Sequence, residues 1–352
     1  MKVTTESIKK WIRSHPRLDL LQYMLRSILP SERKCKEFLN YHNSPLVVKY
    51  MHYGEKNSGK TIYHIYMNNN IMGYCSLLRV TLLHIAYAEK LGFIPVVEWG
   101  KELLYSEQKM FLNTENSFCY FFVPVSEILL SDIRQSDLVV HSKTQDIQYI
   151  VQNKNYRVQE KELATIAEMI KKYLHFNEFG VEKVVIPVKN MLRQGKILGV
   201  HVRGTDFNQQ FSRHPIMVTV DEYIDAASKL FKEGKYDYIF LATDEENSLI
   251  AFKNYFGNKL IYYSDTLRSD NGEPLHYGHV QNREHNNFCL GLEILKDVYT
   301  LGNCHGLLAG LSNVSTMARA FKMATDIYYQ DQVILDKGLN NNLKESRFFI
   351  KK

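Results

Sequence analysis

KILGVHVRGTD, residues 196–206, is the stretch of sequence that decides the fold. Its first half, Ile197 to Val202, is an apolar run rich in β-branched residues, which is typical of a strand buried on both faces of a parallel sheet. The run stops at Arg203, which Gly204, Thr205 and Asp206 follow directly. Because ligands of open α/β sheets bind beyond the carboxyl ends of the strands, we expect a functional cluster here. A surface turn with an ion pair is the alternative.

Length and composition indicate a globular protein with room for two cores. The chain has 352 residues and a formal net charge of +6, a mild excess that suits anionic small molecules or a membrane surface. It has no dense Lys/Arg tract of the kind that nucleic-acid binding requires, so we expect no nucleic-acid partner. No apolar stretch has the length of a signal-peptide core or a membrane span, which favours a cytoplasmic location. The cysteines are odd in number and never in CxxC form, as expected of reduced thiols: Cys35, Cys75, Cys119, Cys289 and Cys304.

Residues 5–36 combine apolar residues at helical spacing with many lysines and arginines. A basic amphipathic helix of this kind can lie on an anionic membrane, so peripheral membrane contact is one expectation for this segment. Packing of the same helix on the protein's own core is the other.

Gly54–Thr61 matches the phosphate-loop pattern GxxxxGK[ST] and raises the alternative of an NTPase or kinase. A phosphate loop must follow a strand and open a helix, so that backbone amides point at the phosphates. Thr61–Tyr66, which comes next, is β-branched and aromatic and predicts a strand. With the apolar Leu46–Tyr53 before it, the segment is predicted to be a hairpin turn.

The first half of the chain has the pattern of a βαβ unit. A helix is predicted from Gly73 to Leu91, ended by Gly92 and followed by a strand at Phe93–Trp99. The aromatic stretch Phe118–Phe122 is either a sugar-stacking platform or, as we favour, part of the core. We assign residues 1–190 to an N-terminal Rossmann-like domain on the acceptor side, in which residues 131–160 are hard to place.

A second alternating series follows the opening stretch and is assigned to residues 191–330, with 331–352 as a tail that packs back on the first domain. The series predicts capping boxes at Thr219–Glu222 and Thr243–Glu246, strands at Tyr236–Ala242, Asn258–Tyr263 and His305–Ala309, and a helix through Leu290–Thr300. The predicted fold class is therefore α/β, with two Rossmann-like domains facing each other across a cleft, the glycosyltransferase-B type.

Three strands of the second domain end in polar groups: Arg203–Asp206, Thr243-Asp244 and Ser312-Asn313. In a parallel sheet these ends lie on one edge, and the turn Ser312–Ser315, which includes Val314, opens a helix whose amides favour phosphate. Arg203 and this turn together predict a pyrophosphate site. The separate alternatives are a helix cap at Asp244 and a simple turn at Ser312–Ser315.

We predict no metal. The chain has no DxD sequence, and the spacing of His276, His279 and His285 fits no zinc pattern. Charge on a leaving diphosphate would then be stabilised by Arg203 and backbone amides.

Four segments resemble the fucosyltransferase superfamily that includes the eukaryotic core α1,6-fucosyltransferases and the bacterial nodulation-factor enzymes. They are Leu198–Asp206, His214–Ile216, Leu241–Asp244 and Asp297–Ser312, and the resemblance covers residues 196–325 well and 61–99 in outline. It implies inverting, metal-independent transfer of L-fucose from GDP-fucose, with no cofactor, to a hydroxyl of an oligosaccharide or lipid-linked glycan, as in polysaccharide biosynthesis.

The resemblance also implies roles for individual residues. Arg203 matches the arginine that binds the donor's β-phosphate, His201 a residue beside the nucleotide, and Asp297 the carboxylate that recognises guanine. Ser312 and Asn313 fall in the phosphate-contacting turn, and with Gly204, Asp244, Val314 and Ser315 they complete the predicted donor site.

The sequence departs from that superfamily at two positions. Gly204 stands where the α1,6 enzymes have a second arginine, and Phe211 stands where they have a glutamate proposed as base. Asp206 is therefore our candidate base by position, with a structural cap as its alternative. A donor other than GDP-fucose, a phosphate-loop enzyme at Gly54–Thr61 and a catalytically silent sugar-binding protein remain the rival hypotheses.

Overall fold

The structure is a computed structural model that describes residues 47–68, 72–142, 156–204, 214–270 and 283–340. Its strands are β1 (Val47–Met51), β2 (Lys56–Met67), β3 (Ile94–Trp99), β4 (Ser136–Ser142), β5 (Ile197–Val202), β6 (Tyr238–Thr243), β7 (Leu260–Ile261), β8 (Gly306–Gly310) and β9 (Gln332–Leu335). Its main helices are α1 (Tyr74–Lys90), α2 (Glu160–Tyr173), α3 (Ile186–Leu192), α4 (Val220–Glu233), α5 (Glu246–Phe256), α6 (Asn286–Asn303) and α7 (Asn313–Ala324). Short helical turns at Ser117–Tyr120, Leu130–Gln135, Glu178–Val185 and Gly257–Lys259 complete the described elements.

The second sheet is parallel throughout, in the order β7-β6-β5-β8-β9. The strand predicted at Ile197–Val202 is confirmed as β5, and all six of its residues are buried because helices cover both faces of the sheet. The predicted capping box at Thr219 opens α4, and Gly234 closes that helix. The sheet extends beyond residue 330, since Gln332–Leu335 pairs with β8.

The first sheet has the order β1-β4-β2-β3, in which β2 is parallel to both β3 and β4. The predicted hairpin around Gly54–Thr61 is wrong, because β1 pairs antiparallel with β4, which lies between it and β2. Gly59 and Lys60 lie within β2 and are exposed, and no helix opens after them. This segment therefore lacks the strand-to-helix turn that directs amides at phosphate.

The helix α1 and the strand β3 fall where the βαβ pattern predicts them, with Gly92 in the left-handed region (φ +69°) at the end of the helix. The aromatic stretch at 118–122 is core, since Phe118, Tyr120, Phe121 and Phe122 are buried. One continuous hydrophobic core joins residues of both sheets through the helices between them. The predicted α/β fold class with two Rossmann-like units is confirmed: the second sheet is parallel throughout, and the first is parallel except for the β1–β4 pair.

Strand β4 lies in the region that the sequence pattern left unassigned. The basic segment 5–36 and the last part of the tail, 341–352, lie outside the described residues.

Asp336, just after β9, accepts hydrogen bonds from Arg157 Nε at 2.6 Å and Nη2 at 2.9 Å. Within the described ranges, no helix has the combination of length and apolarity that crossing a bilayer needs.

Candidate functional site

The carboxyl edge of the second sheet has one position where the strand order reverses. From β5 the chain passes outward to β6 and β7, and then returns through α6 to place β8 on the opposite side of β5. The crevice at such a switch point, here between β5 and β8, is where open α/β sheets bind their ligands. Arg203 follows β5 directly and Ser312 follows β8, so both predicted residues lie at this crevice.

Ser312 is the N-cap of α7 and forms a reciprocal capping box. Its Oγ accepts from the Ser315 amide at 3.0 Å, and its own amide donates to Ser315 Oγ at 3.0 Å. The amides of Asn313 and Val314 are the first two of the helix and have no intrahelical partner by geometry. Ser312 Oγ also lies 3.5 Å from Nδ1 of the buried His201, which joins the β5 end to the α7 start.

The half-buried Arg203 lies within electrostatic reach of the first unit. Its charge lowers the pKa values of Cys75 and Tyr105, although burial dominates and raises that of Cys75 to about 12. Cys75 belongs to the first turn of α1, where Tyr105 Oη accepts from the Tyr74 amide at 2.9 Å. The first turn of α1 has no acidic residue and no side-chain cap, so no side chain of that turn offsets the positive end of its dipole.

Asp297 on α6 is a carboxyl in an unusual environment. Burial raises its pKa to about 8, and the charges of Arg268 and Lys296 oppose that shift. The charge of Asp297 raises the pKa of Cys75, so this α1 residue interacts electrostatically with both Arg203 and Asp297. Among the described residues no hydrogen bond to the Asp297 carboxyl is formed, whereas the neighbouring Lys296 Nζ binds Asp265 at 3.0 Å. The side chain of Asp297 is partly buried, and no donor among the described residues reaches its carboxyl.

Gly204 lies against the first residues after β6. Its amide donates to Asp244 Oδ1 at 3.3 Å, and a Cβ at this position would lie 2.5 Å from Glu245 Oε2. Glu245, which the sequence did not single out, thus fills the space that a side chain at 204 would need. The predicted capping box at Thr243–Glu246 is wrong, since Glu245 itself is the N-cap of α5 and makes no side-chain cap bond.

Asn313 is brought to the site by its place in α7, but its side-chain oxygen is already engaged. Asn313 Oδ1 accepts from Arg79 Nη1 at 3.1 Å, and Arg79 also donates to Glu162 on α2. Sequence reasoning missed Arg79. Its signal was an arginine inside the apolar run LLRVTLL of α1, at a position that the helical period buries.

Other predicted residues do not join this cluster in the described structure. Asp206 lies outside the described residues, as do Phe211, His276 and His279. His285 precedes α6, where its ring contacts Phe111 with 4.3 Å between ring centroids. Within the part of the chain that the structure describes, no group of three His, Cys, Asp or Glu side chains could hold a metal ion.

No protein-family profile and no curated protein matches the chain. Similar solved structures include NodZ alpha-1,6-fucosyltransferase soaked with GDP-fucose, at 15% identity over 81% of this chain and 98% of that one, with a TM-score of 0.44. The fucosyltransferase NodZ from Bradyrhizobium is 14% identical over 75% and 93% of the two chains, with a TM-score of 0.41. POFUT1 in complex with GDP-fucose is 9% identical over 80% and 99%, with a TM-score of 0.41.

NodZ is named a fucosyltransferase, the activity of the superfamily that the motifs resemble. Identities and TM-scores of this size assign neither a substrate nor a role to individual side chains. The function proposed below is therefore supported from the residues of this chain.

Proposed function

We propose that this chain is an inverting, metal-independent glycosyltransferase that moves L-fucose from GDP-fucose to a hydroxyl of a glycan acceptor. One observation carries the proposal: Arg203 follows β5 and the N-terminus of α7 follows β8, on the two sides of the switch point of a parallel sheet. A guanidinium and free helix amides at such a crevice match a diphosphate in charge and in hydrogen-bond donors.

The diphosphate would lie against Arg203 and the amides of Asn313 and Val314. The positive end of α1 adds to the potential from across the crevice. Departure of GDP leaves negative charge on the β-phosphate, and preorganised donors stabilise charge that develops in the transition state. Arg203 and the amides would therefore stabilise the departing GDP as the bond between fucose and the β-phosphate oxygen breaks.

Asp297 is proposed to recognise guanine. Its carboxylate can accept from N1–H and from the C2 amino group of guanine, and adenine offers no such pair of donors. Guanine would also supply donors to a partly buried carboxyl that has no hydrogen bond within the described residues.

We keep Asp206 as the proposed general base that takes the proton of the acceptor hydroxyl, as its position in the motif suggests. Attack on the face opposite the diphosphate would invert the anomeric centre. L-fucose as the donor sugar and a glycan acceptor are supported by the motif resemblance. The two-domain division at residue 190, a cytoplasmic location and membrane contact through residues 5–36 are proposed from the pattern and composition of the sequence.

A calorimetric panel of GDP, GDP-fucose, GDP-mannose, UDP-sugars and ATP tests this proposal. Only the guanine nucleotides should bind, and a preference for GDP-mannose over GDP-fucose would favour a different donor. Lys60→Ala should bind GDP as the unaltered protein does, because Lys60 is exposed on β2. Binding of ATP alone, lost in Lys60→Ala, would contradict the proposal and revive the phosphate-loop alternative.

Asp297→Asn tests whether Asp297 recognises the guanine nucleobase. Xanthine carries a carbonyl at C2 where guanine carries an amino group, and the amide of asparagine can donate to that carbonyl. We expect Asp297→Asn to bind xanthosine diphosphate more tightly than GDP, reversing the order seen with aspartate by about tenfold or more in each direction. An unchanged preference for GDP would show that Asp297 does not contact the nucleobase.

A further inference from the structure

Arg79 joins three helices from both halves of the chain. Its Nε donates to Glu162 Oε1 at 2.9 Å, its Nη2 binds the same oxygen, and its Nη1 donates to Asn313 Oδ1 at 3.1 Å. The side chains of Arg79 and Glu162 are only 9% and 11% exposed. The guanidinium thus holds α1, α2 and α7 at one point.

The positions of its two partners explain why an arginine is needed. Glu162 lies in the first turn of α2, and Asn313 is the first residue of α7. A buried guanidinium must be paired, and Glu162 supplies the opposite charge. The planar fork then directs its third nitrogen, Nη1, at Asn313, which the single ammonium of a lysine cannot do in the same fixed geometry.

Asn313 follows Ser312, whose Oγ caps α7 and lies against His201. A bond to the Asn313 side chain therefore fixes the residue whose own amide belongs to the free N-terminus of α7. We propose that Arg79 is a positioning residue, which acts through Asn313 to hold the α7 amides in place for the donor's diphosphate. This inference rests on the proposed function, because it concerns the same diphosphate site.

A double-mutant cycle on GDP affinity tests the coupling. Arg79→Met should weaken GDP binding about tenfold and raise the KM for the donor more than it lowers kcat, because the reacting groups remain. In an Asn313→Ala background, Arg79→Met should weaken GDP binding less than twofold, since the side chain through which Arg79 acts is already absent. Arg79→Lys should fall between Arg79→Met and the unaltered protein.

Because Arg79→Met leaves the Glu162 carboxylate buried without its partner, that variant could fail to fold. The pair Arg79→Met with Glu162→Leu removes both charges and keeps the volume apolar, which buried ion pairs commonly tolerate. We expect this double variant to fold and to show the same tenfold loss of GDP affinity.

Arg319→Met is the matched control. Arg319 on α7 donates to Glu160 on α2 at 2.7 Å, so it links two of the same helices without contacting Asn313. Its loss should leave GDP affinity unchanged. Equal losses for Arg319→Met and Arg79→Met, or a full tenfold loss in the Asn313→Ala background, would overturn the inference and show general loosening of the helices. Failure of the unaltered protein to bind GDP would instead contradict the proposed function.

Discussion

The two sheets place their polar residues differently. In the second sheet, β5 is buried along its whole length and its polar groups gather at the carboxyl edge, where Arg203 lies at the switch point. In the first sheet, polar groups lie on the face of the strands and satisfy one another. His64 Nε2 lies 2.7 Å from Glu98 Oε2, and His64 Nδ1 lies 3.0 Å from His141 Nδ1. The other ring nitrogen of His141, Nε2, lies 2.8 Å from Tyr53 Oη.

This difference distinguishes structural polar groups from functional ones. A chain of groups that donate and accept among themselves keeps little capacity for a ligand. The second sheet has a cation and helix amides at one edge, and these groups would be stabilised by a bound anion. Substitutions in the second unit should therefore change ligand binding and turnover, and substitutions in the first sheet should change stability.

Arg203→Ala should have the largest effect. We expect transfer, measured as kcat/KM, to fall about 10²- to 10³-fold, because one preorganised donor to the leaving diphosphate is lost. The unfolding free energy should change little, since the guanidinium is half-buried at the end of a strand. Turnover within a few-fold of the unaltered protein would exclude Arg203 from the reaction.

The pH dependence of GDP binding should show the next largest effect. Asp297 has a pKa of about 8 in the free protein, and guanine requires its carboxylate form. Affinity should therefore rise as pH increases toward 8, by up to about tenfold per pH unit, and level off above it. Asp297→Asn should remove this slope in calorimetric titrations. A slope identical in both proteins would come from another group.

The same pKa sets the sign of a stability effect. A folded-state pKa of about 8 lies above the ordinary value, so between about pH 4 and pH 8 the folded state holds a proton that the unfolded state has lost. The contribution of Asp297 to the unfolding free energy should then fall as pH rises through this window. Relative to Asp297→Asn, the unaltered protein should become less stable toward pH 8.

Glu98→Leu should have the smallest effect and should act on stability alone. Removing the acceptor of His64 should cost about 1 kcal/mol of unfolding free energy in urea titrations, the usual size for a hydrogen bond of this kind. GDP affinity should stay within twofold. A loss of GDP binding here, with stability unchanged, would show that the first sheet also serves the ligand.

Much of the fold follows from local signals. The β-branched run of β5, the capping box of α4, the turn that opens α7 and the glycine that ends α1 all lie where the pattern puts them, because each acts within a few residues. Pairing of distant strands was less predictable. Leu46–Tyr53 and Thr61–Tyr66 have the pattern of a hairpin, yet the pairing depends on β4, which comes some seventy residues later, and it inserts between β1 and β2.

The candidate site divides in the same way. Arg203, Ser312 and Asp244 could be singled out because polar residues at the ends of apolar runs can be recognised from the sequence alone. Glu245 could not, since its place against Gly204 exists only after the helices pack. The apolar run around Arg79 indicates that this arginine is buried, but its contact with Asn313 depends on packing.

The sequence by itself determined the parallel second sheet, its buried central strand and the polar residues that follow its strands, because period and residue type act locally. The tertiary structure alone decided the order of the strands in the first sheet, the desolvation that raises the pKa of Asp297, and the meeting of α1, α2 and α7 at Arg79. Burial and contact between residues far apart in sequence depend on packing, and no local pattern encodes them.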